Sequence, residues 1–136
     1  MKIRSETLTP ERIKELALFE QQAFGYDGTL LDKNVQKVIA ENNILAALDD
    51  QGKTLGHLRY KNQPNPYISG LVVDPAARGQ GIGTALVQQL MKLQQPIDLN
   101  VLNKNLQAQK LYEKLGFTRV PSKLSGSMEY RWEGDK

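Results

Sequence analysis

The sequence predicts a mixed α/β fold: a mixed, mostly antiparallel sheet with one central parallel strand–helix–strand crossover. Two observations carry this. Extended runs and helical stripes interleave in the order strand, two helices, three strands, helix, strand, helix, two strands. Within that order, the apolar run Tyr67–Val73, a helical stripe and the alternating run 97–102 form one unit, and a helical crossover of this kind sets its two strands parallel. The 136 residues hold no internal repeat, low-complexity tract or linker, so residues 1–136 read as a single domain.

Local chemistry justifies each element. Lys2 to Glu6 reads as a short strand. Thr9-Pro10-Glu11 is a helix start, with a hydroxyl N-cap, proline at the first helical position and an acid in the first turn. Ile13, Leu16, Ala17 and Phe24 carry a helical stripe to residue 24, where Gly25 and Gly28 break it. Asp32 caps a second helix with Val35, Val38 and Ile39 on one face. Ile44–Leu48 and Lys53–Tyr60 flank the turn Asp49-Asp50-Gln51-Gly52 as a hairpin. Tyr67–Val73, almost continuously apolar, reads as a strand buried on both faces. Ile82, Leu86, Leu90 and Leu93 recur at helical spacing until Pro96 stops the helix. Ile97, Leu99 and Val101 alternate with Asp98 and Asn100 in a strand. Ala108, Leu111, Tyr112 and Leu115 mark a further helix, ended by Gly116 in the left-handed cap position. Phe117–Val120 and Ser127–Trp132 are the last two strands.

Composition removes several functional classes. There is no cysteine, which excludes a disulfide scaffold, a thiolate metal site and a cysteine nucleophile. The single histidine, His57, excludes a multi-histidine metal site, and no metal is expected. Met1–Glu6 is charged and lacks the apolar core of a signal peptide, and no apolar run is long enough to cross a bilayer. The expectation is a soluble cytoplasmic protein with no membrane partner. The net charge of +3 is uneven: residues 1–75 hold 9 basic and 10 acidic residues, residues 76–136 hold 9 and 5. An anionic ligand is drawn to the C-terminal half, although lysines that merely solvate helix surfaces give the same count. No basic run or arginine stripe marks a nucleic-acid partner. A homodimer through an edge strand is compatible with a small sheet of this kind.

The chemistry sits in Leu71-Val72-Val73-Asp74-Pro75-Ala76-Ala77-Arg78-Gly79-Gln80-Gly81-Ile82-Gly83-Thr84. A strand ends and alternating glycines open a helix. Glycines let backbone N–H groups approach a ligand, and a helix N-terminus adds unpaired donors and partial positive charge. Arg78 supplies a formal charge at the same place. The competing reading is a turn whose glycines only allow close packing. The loop is not a Walker A motif, which requires a lysine this segment lacks. Nor is it a dinucleotide fingerprint, because Gly79, Gly81 and Gly83 are spaced G-x-G-x-G rather than G-x-G-x-x-G.

Arg78-Gly79-Gln80-Gly81-Ile82-Gly83 resembles the pyrophosphate loop of the GCN5-related N-acetyltransferases, [Arg/Gln]-x-x-Gly-x-[Gly/Ala]. Asn105 to Phe117, with Ala108, Leu111-Tyr112 and Gly116-Phe117, is similar to the second conserved segment of that family. The resemblance is sharp over residues 70–119. It implies the acyl-CoA N-acyltransferase fold and acetyl-CoA as co-substrate. Leu71, Val72 and Val73 would then offer backbone groups to the pantetheine arm, as an added strand would. Arg78, Gly79, Gln80, Gly81, Ile82 and Gly83, with the Thr84 hydroxyl, would hold the pyrophosphate. Asn105 would hydrogen-bond the pantetheine, and Tyr112 would sit near the thioester sulfur.

The resemblance also implies direct attack of a primary amine on the thioester. The Val73 N–H would be the oxyanion donor. Tyr112 would be the acid for the departing thiolate, its ordinary pKa near 10 lying only slightly above that of a thiol near 8.5. Many relatives carry a glutamate on the strand before the loop, whereas Tyr67–Val73 holds no acid. His57, Asp98, Tyr67, Asp27 or a water chain remain as routes for the amine proton. The acceptor, a small molecule or a protein amine, would meet Phe24–Thr29 and Pro121–Met128, with Phe24, Tyr26 and Asp27 suiting an amine with some apolar body. The alternative function is a non-catalytic acyl-CoA-binding module or sensor on the same fold.

Overall fold

The computed structural model describes residues 1–25, 32–62, 64–121 and 125–134. The strands are β1 (Lys2–Ser5), β2 (Asn43–Leu48), β3 (Thr54–Lys61), β4 (Tyr67–Val73), β5 (Ile97–Leu102), β6 (Thr118–Val120) and β7 (Ser127–Trp132). The helices are α1 (Pro10–Ala23), α2 (Lys33–Ala40), α3 (Ile82–Met91) and α4 (Leu106–Lys114), with a 3-10 turn at Pro75–Ala77. All seven strands form one sheet in the order β1-β2-β3-β4-β5-β7-β6. The β4–β5 pair is parallel and every other pair is antiparallel.

The helix starts form as their side chains dictate. Thr9 Oγ1 accepts from Arg12 N at 3.1 Å and Asp32 Oδ1 from Asn34 N at 2.7 Å, so each cap satisfies one orphan donor of its first turn. Gly116 takes φ +96° at the end of α4, the left-handed position that favours glycine. No helix among the described residues is long and apolar enough to cross a membrane.

The sheet divides two cores. On one face, Leu58, Leu86, Val87, Leu90, Ile97, Leu99 and Tyr130 pack with α3 and α4. On the other, Leu16 and Ala17 of α1 meet Ile39 of α2 and Ile44 of β2. Most expected elements form, with three differences. Leu93 is half exposed beyond the end of α3, because Lys92, Leu93 and Gln94 bond back only three residues and tighten the chain out of the α-helix. Phe117 precedes β6 as a buried anchor, its N–H given to Tyr112 O at 2.9 Å. Burial of β4 on both faces holds for Ile68 and Val72 but not for Leu71 and Val73, which are half-buried because β5 leaves them.

Candidate active site

That departure makes the site. β4 and β5 pair only at Tyr67 with Asp98 and Ile68 with Leu99, and beyond these residues the two strands part into a wedge. The antiparallel ladder on the other side of β4 fixes what faces the gap. Asp74 N donates to Leu55 O at 2.9 Å. Alternation then gives the bonded pairs to Val72 with His57 and Gly70 with Arg59. The N–H and C=O groups of Leu71 and Val73 therefore point away from β3, into the wedge. Val72, which the sequence reading grouped with them, spends its backbone groups on the ladder.

Next along the chain is the glycine loop. Asp74 Oδ1 accepts from Ala76 N at 3.0 Å and fixes the 3-10 turn that leads into it. Gly79 and Gly81 take φ +82° and +79°, conformations that strain any residue with a Cβ. A Cβ at either would meet nothing within 4 Å. These two glycines therefore serve backbone conformation and leave open space, rather than tight packing. Gly81 is the N-cap of α3 and no side chain caps this helix, so its first N–H donors face the loop without a protein partner. Arg78, Gly79, Gln80 and Gly81 are all exposed.

Neighbouring contacts set this cradle against the wedge. A Cβ on Gly83 would lie 3.5 Å from Leu71 Cδ2 and 3.8 Å from Leu111 Cδ2, so the first turn of α3 rests between β4 and α4. The Ile82 side chain is buried. A Cβ on Gly56 of β3 would lie 2.9 Å from Val72 O and 3.1 Å from Ile82 Cγ2, so close approach requires glycine there. Only the backbone of Ile82 is left to serve a ligand; the Thr84 side chain is half-buried one turn in.

Asn105 is the N-cap of α4, its Oδ1 accepting from Ala108 N at 3.1 Å. That is a structural duty the sequence reading did not assign; it engages the carbonyl end of the amide. Tyr112 is buried, with its ring edge-on to Phe117 at 5.3 Å. Burial pushes its phenol up from the ordinary value, which keeps the proton on and makes Tyr112 a weaker acid than an exposed tyrosine.

The candidate proton acceptors fare differently. His57 is fully buried, with Nε2 3.0 Å from Glu20 Oε1 and Nδ1 without a partner. Asp98 is held by Arg131 Nε at 3.1 Å across β7. The Tyr67 hydroxyl accepts from Asn100 Nδ2 at 2.7 Å at the closed end of the wedge, leaving Asn100 Oδ1 buried and unpaired. Asp27, Tyr26 and the segment 26–29 lie outside the described residues, as do residues 122–124. Phe24 is exposed at the end of α1.

Sequence reasoning missed Glu20. Its carboxylate is buried between His57 Nε2 and Arg59 Nε, each at 3.0 Å. Burial raises its pKa, but the His57 hydrogen bond and the Arg59 charge outweigh that, and the net shift is downward. The signal was present: residues 13, 16, 17, 20 and 24 form one helical stripe, and Glu20 is the charged member of it.

A sheet opened between two parallel strands, beside an uncapped helix N-terminus, leaves backbone donors of both elements unpaired. Comparison with known proteins gives the class its name. Residues 9–117 match the acetyltransferase (GNAT) family, and the chain belongs to it. It is 32% identical over 87 residues to the peptidyl-lysine N-acetyltransferase YjaB of Salmonella typhimurium, covering 64% of this chain and 58% of that protein's length. Among solved structures it is similar to a GNAT-family protein from Desulfovibrio desulfuricans (TM-score 0.76, 18% identity, covering 97% of this chain and 98% of the other). It is also similar to the PaiA N-acetyltransferase of Thermoplasma acidophilum in complex with coenzyme A (TM-score 0.71, 18% identity, 98% and 99%).

Proposed function

We propose that residues 1–136 work as one acetyl-CoA-dependent N-acetyltransferase domain that delivers the acetyl group to a primary amine, with a lysine side chain the leading acceptor class. The observation that carries this reading is the wedge, where the free edge of β4 meets the uncapped start of α3. Family membership, the coenzyme A complex of the structural neighbour and the name of the curated relative support it. Pantetheine would pair with Leu71 and Val73 as an added strand. The pyrophosphate would sit on the backbone of Gly79–Gly83, with Arg78 and Thr84 beside it. Asn105 would hydrogen-bond the pantetheine through its remaining amide hydrogens.

The chemistry follows from these groups. The amine nitrogen attacks the thioester carbonyl, and the Val73 N–H stabilises the oxyanion as it forms. The C–S bond then breaks. Tyr112, kept protonated by burial, gives a hydrogen bond to the departing sulfur, and because burial weakens the phenol as an acid the thiolate takes its proton finally from water. Glu20 and Asp98 are committed to ion pairs and His57 is sealed in. With these three groups engaged, the reading has the amine react as its free base and lose its proton through water.

The test is amine-dependent thiol release from acetyl-CoA with a lysine peptide and small amines, followed across pH. The reading predicts turnover whose kcat/KM climbs through pH 9 towards the lysine pKa of about 10.4, without a plateau near neutrality. Tight coenzyme A binding with no thiol release from any amine would make the protein the non-catalytic binding module instead. Cytoplasmic action fits a chemistry that draws on acetyl-CoA.

A further inference from the structure

Strand β4 changes parity part-way along, and a buried polar network sits at the change. At its start, Asp98 N donates to Pro66 O at 3.0 Å, so the even-numbered residues 66 and 68 face β5. Beyond the wedge apex the odd-numbered residues Leu71 and Val73 face that side. Such a switch takes one extra residue. The register shows where it lies: Arg59 opposes Gly70 while Tyr60 opposes Ile68, leaving Ser69 as a one-residue bulge. A strand without the bulge would turn the amides of Gly70 and Val72 to the wedge and move the Leu71 and Val73 side chains off the α3 core they pack against.

Side chains from α1, the α2–β2 junction and β3 converge on the two bulge residues. Ser69 Oγ donates to Asn42 Oδ1 at 2.7 Å, and buried Asn42 is itself fixed by Nδ2 donating to Val38 O at 2.7 Å. A Cβ on Gly70 would overlap the Arg59 guanidinium, which lies flat across this glycine. Arg59 is held there by Glu20, whose carboxylate is also bound to His57. Glu20, Asn42 and His57 are three of the four buried polar residues described in the chain, so the core's polar content is concentrated here. Buried ion pairs seldom add net stability, and fixing register is their best-attested use.

We infer that Asn42, Ser69 and the Glu20–Arg59 pair are positioning residues. They hold the bulge that turns the Leu71 and Val73 N–H groups out of the ladder and into the wedge, where the transfer reaction uses them. The use rests on the acetyltransferase reading; the strand geometry does not.

Residue-resolved amide exchange, measured by NMR on the unliganded protein, separates the two. In the wild type, the Leu71 and Val73 amides should exchange at least about a hundredfold faster than those of Gly70 and Val72, which are bonded in the ladder. Ser69→Ala with Asn42→Ala, and separately Gly70→Ala, should collapse that contrast and raise the KM for acetyl-CoA about tenfold, and Ser69→Thr should keep both near wild type. Ile97→Val, which thins the core on the other face of the sheet, should lower Tm and leave contrast and KM unchanged. Unchanged contrast in the network variants, or equal loss of it in Ile97→Val, overturns the inference. A network-dependent contrast in a protein that takes up no acetyl-CoA sustains the inference about the strand and overturns the transferase reading.

Discussion

The glycine cradle and the polar network flank the same strand and are built in opposite ways. The cradle is contiguous, Arg78 to Thr84, exposed, and made of backbone donors that the chain leaves unsatisfied. The network is largely buried and assembled from residues 20, 42, 59 and 69, which pair with one another or with neighbouring protein groups. In the proposed function one region takes the ligand and the other sets where the strand presents its own donors, so damage to each should read out differently.

The largest expected effect is on the support. Glu20→Ala leaves Arg59 and His57 without their shared carboxylate, and loss of one partner of a buried pair costs roughly 3–5 kcal/mol. Thermal or urea unfolding should show the loss directly, while the Glu20→Gln variant should retain part of it through the hydrogen bond to His57. The same carboxylate carries a pH signature. Its folded pKa lies below the ordinary glutamate value, so it contributes stability that is complete above that ordinary value and lost as the pH falls through the lower, folded one. Urea midpoints measured from pH 6 downwards should fall in the wild type over that acid window and fall less in Glu20→Gln.

The cradle should fail in binding rather than in folding. Gly81→Asp puts a Cβ into a left-handed residue and a carboxylate where phosphate is expected. The strain is about 1–2 kcal/mol and should cost only a few degrees of Tm. Acetyl-CoA affinity should drop about a hundredfold or more. Similar loss of Tm and affinity across both regions would erase the distinction between them.

A smaller effect sharpens the comparison within the site. Tyr112→Phe should lower kcat roughly ten- to a hundredfold with little change in coenzyme A affinity, as the proposed contact of the hydroxyl with the leaving sulfur requires. Arg78→Ala removes one exposed charge and should weaken acetyl-CoA binding only about three- to tenfold, an effect that shrinks as salt is added.

The two regions also differ in how far they could be read in advance. The cradle was legible because its information is local: glycines at alternate positions, an arginine and a strand–helix junction all lie between Val73 and Gly83. The parallel crossover and the cap residues Thr9, Asp32 and Gly116 were legible for the same reason. The network was not, because its members are up to 49 residues apart, from Glu20 to Ser69, and meet only once α1 and α2 cover the sheet. The bulge at Ser69 leaves no trace in the apolar pattern of Tyr67–Val73, since a one-residue insertion in an apolar run changes no periodicity that could be seen. Asn105 illustrates an intermediate case: its spacing to Ala108 could have been read as an N-cap, but its place in the resemblance drew attention to a ligand instead.

The central claim is that acetyl-CoA enters the wedge with its pyrophosphate on the glycine cradle. Calorimetric titration of acetyl-CoA into the wild type and into Gly81→Asp tests it most directly, with NAD and ATP as controls. The account predicts saturable binding of acetyl-CoA by the wild type, strongly weakened in Gly81→Asp, and none of comparable affinity for NAD or ATP. Equal affinity in the two proteins, or a wild type that takes NAD or ATP in preference to acetyl-CoA, would contradict it.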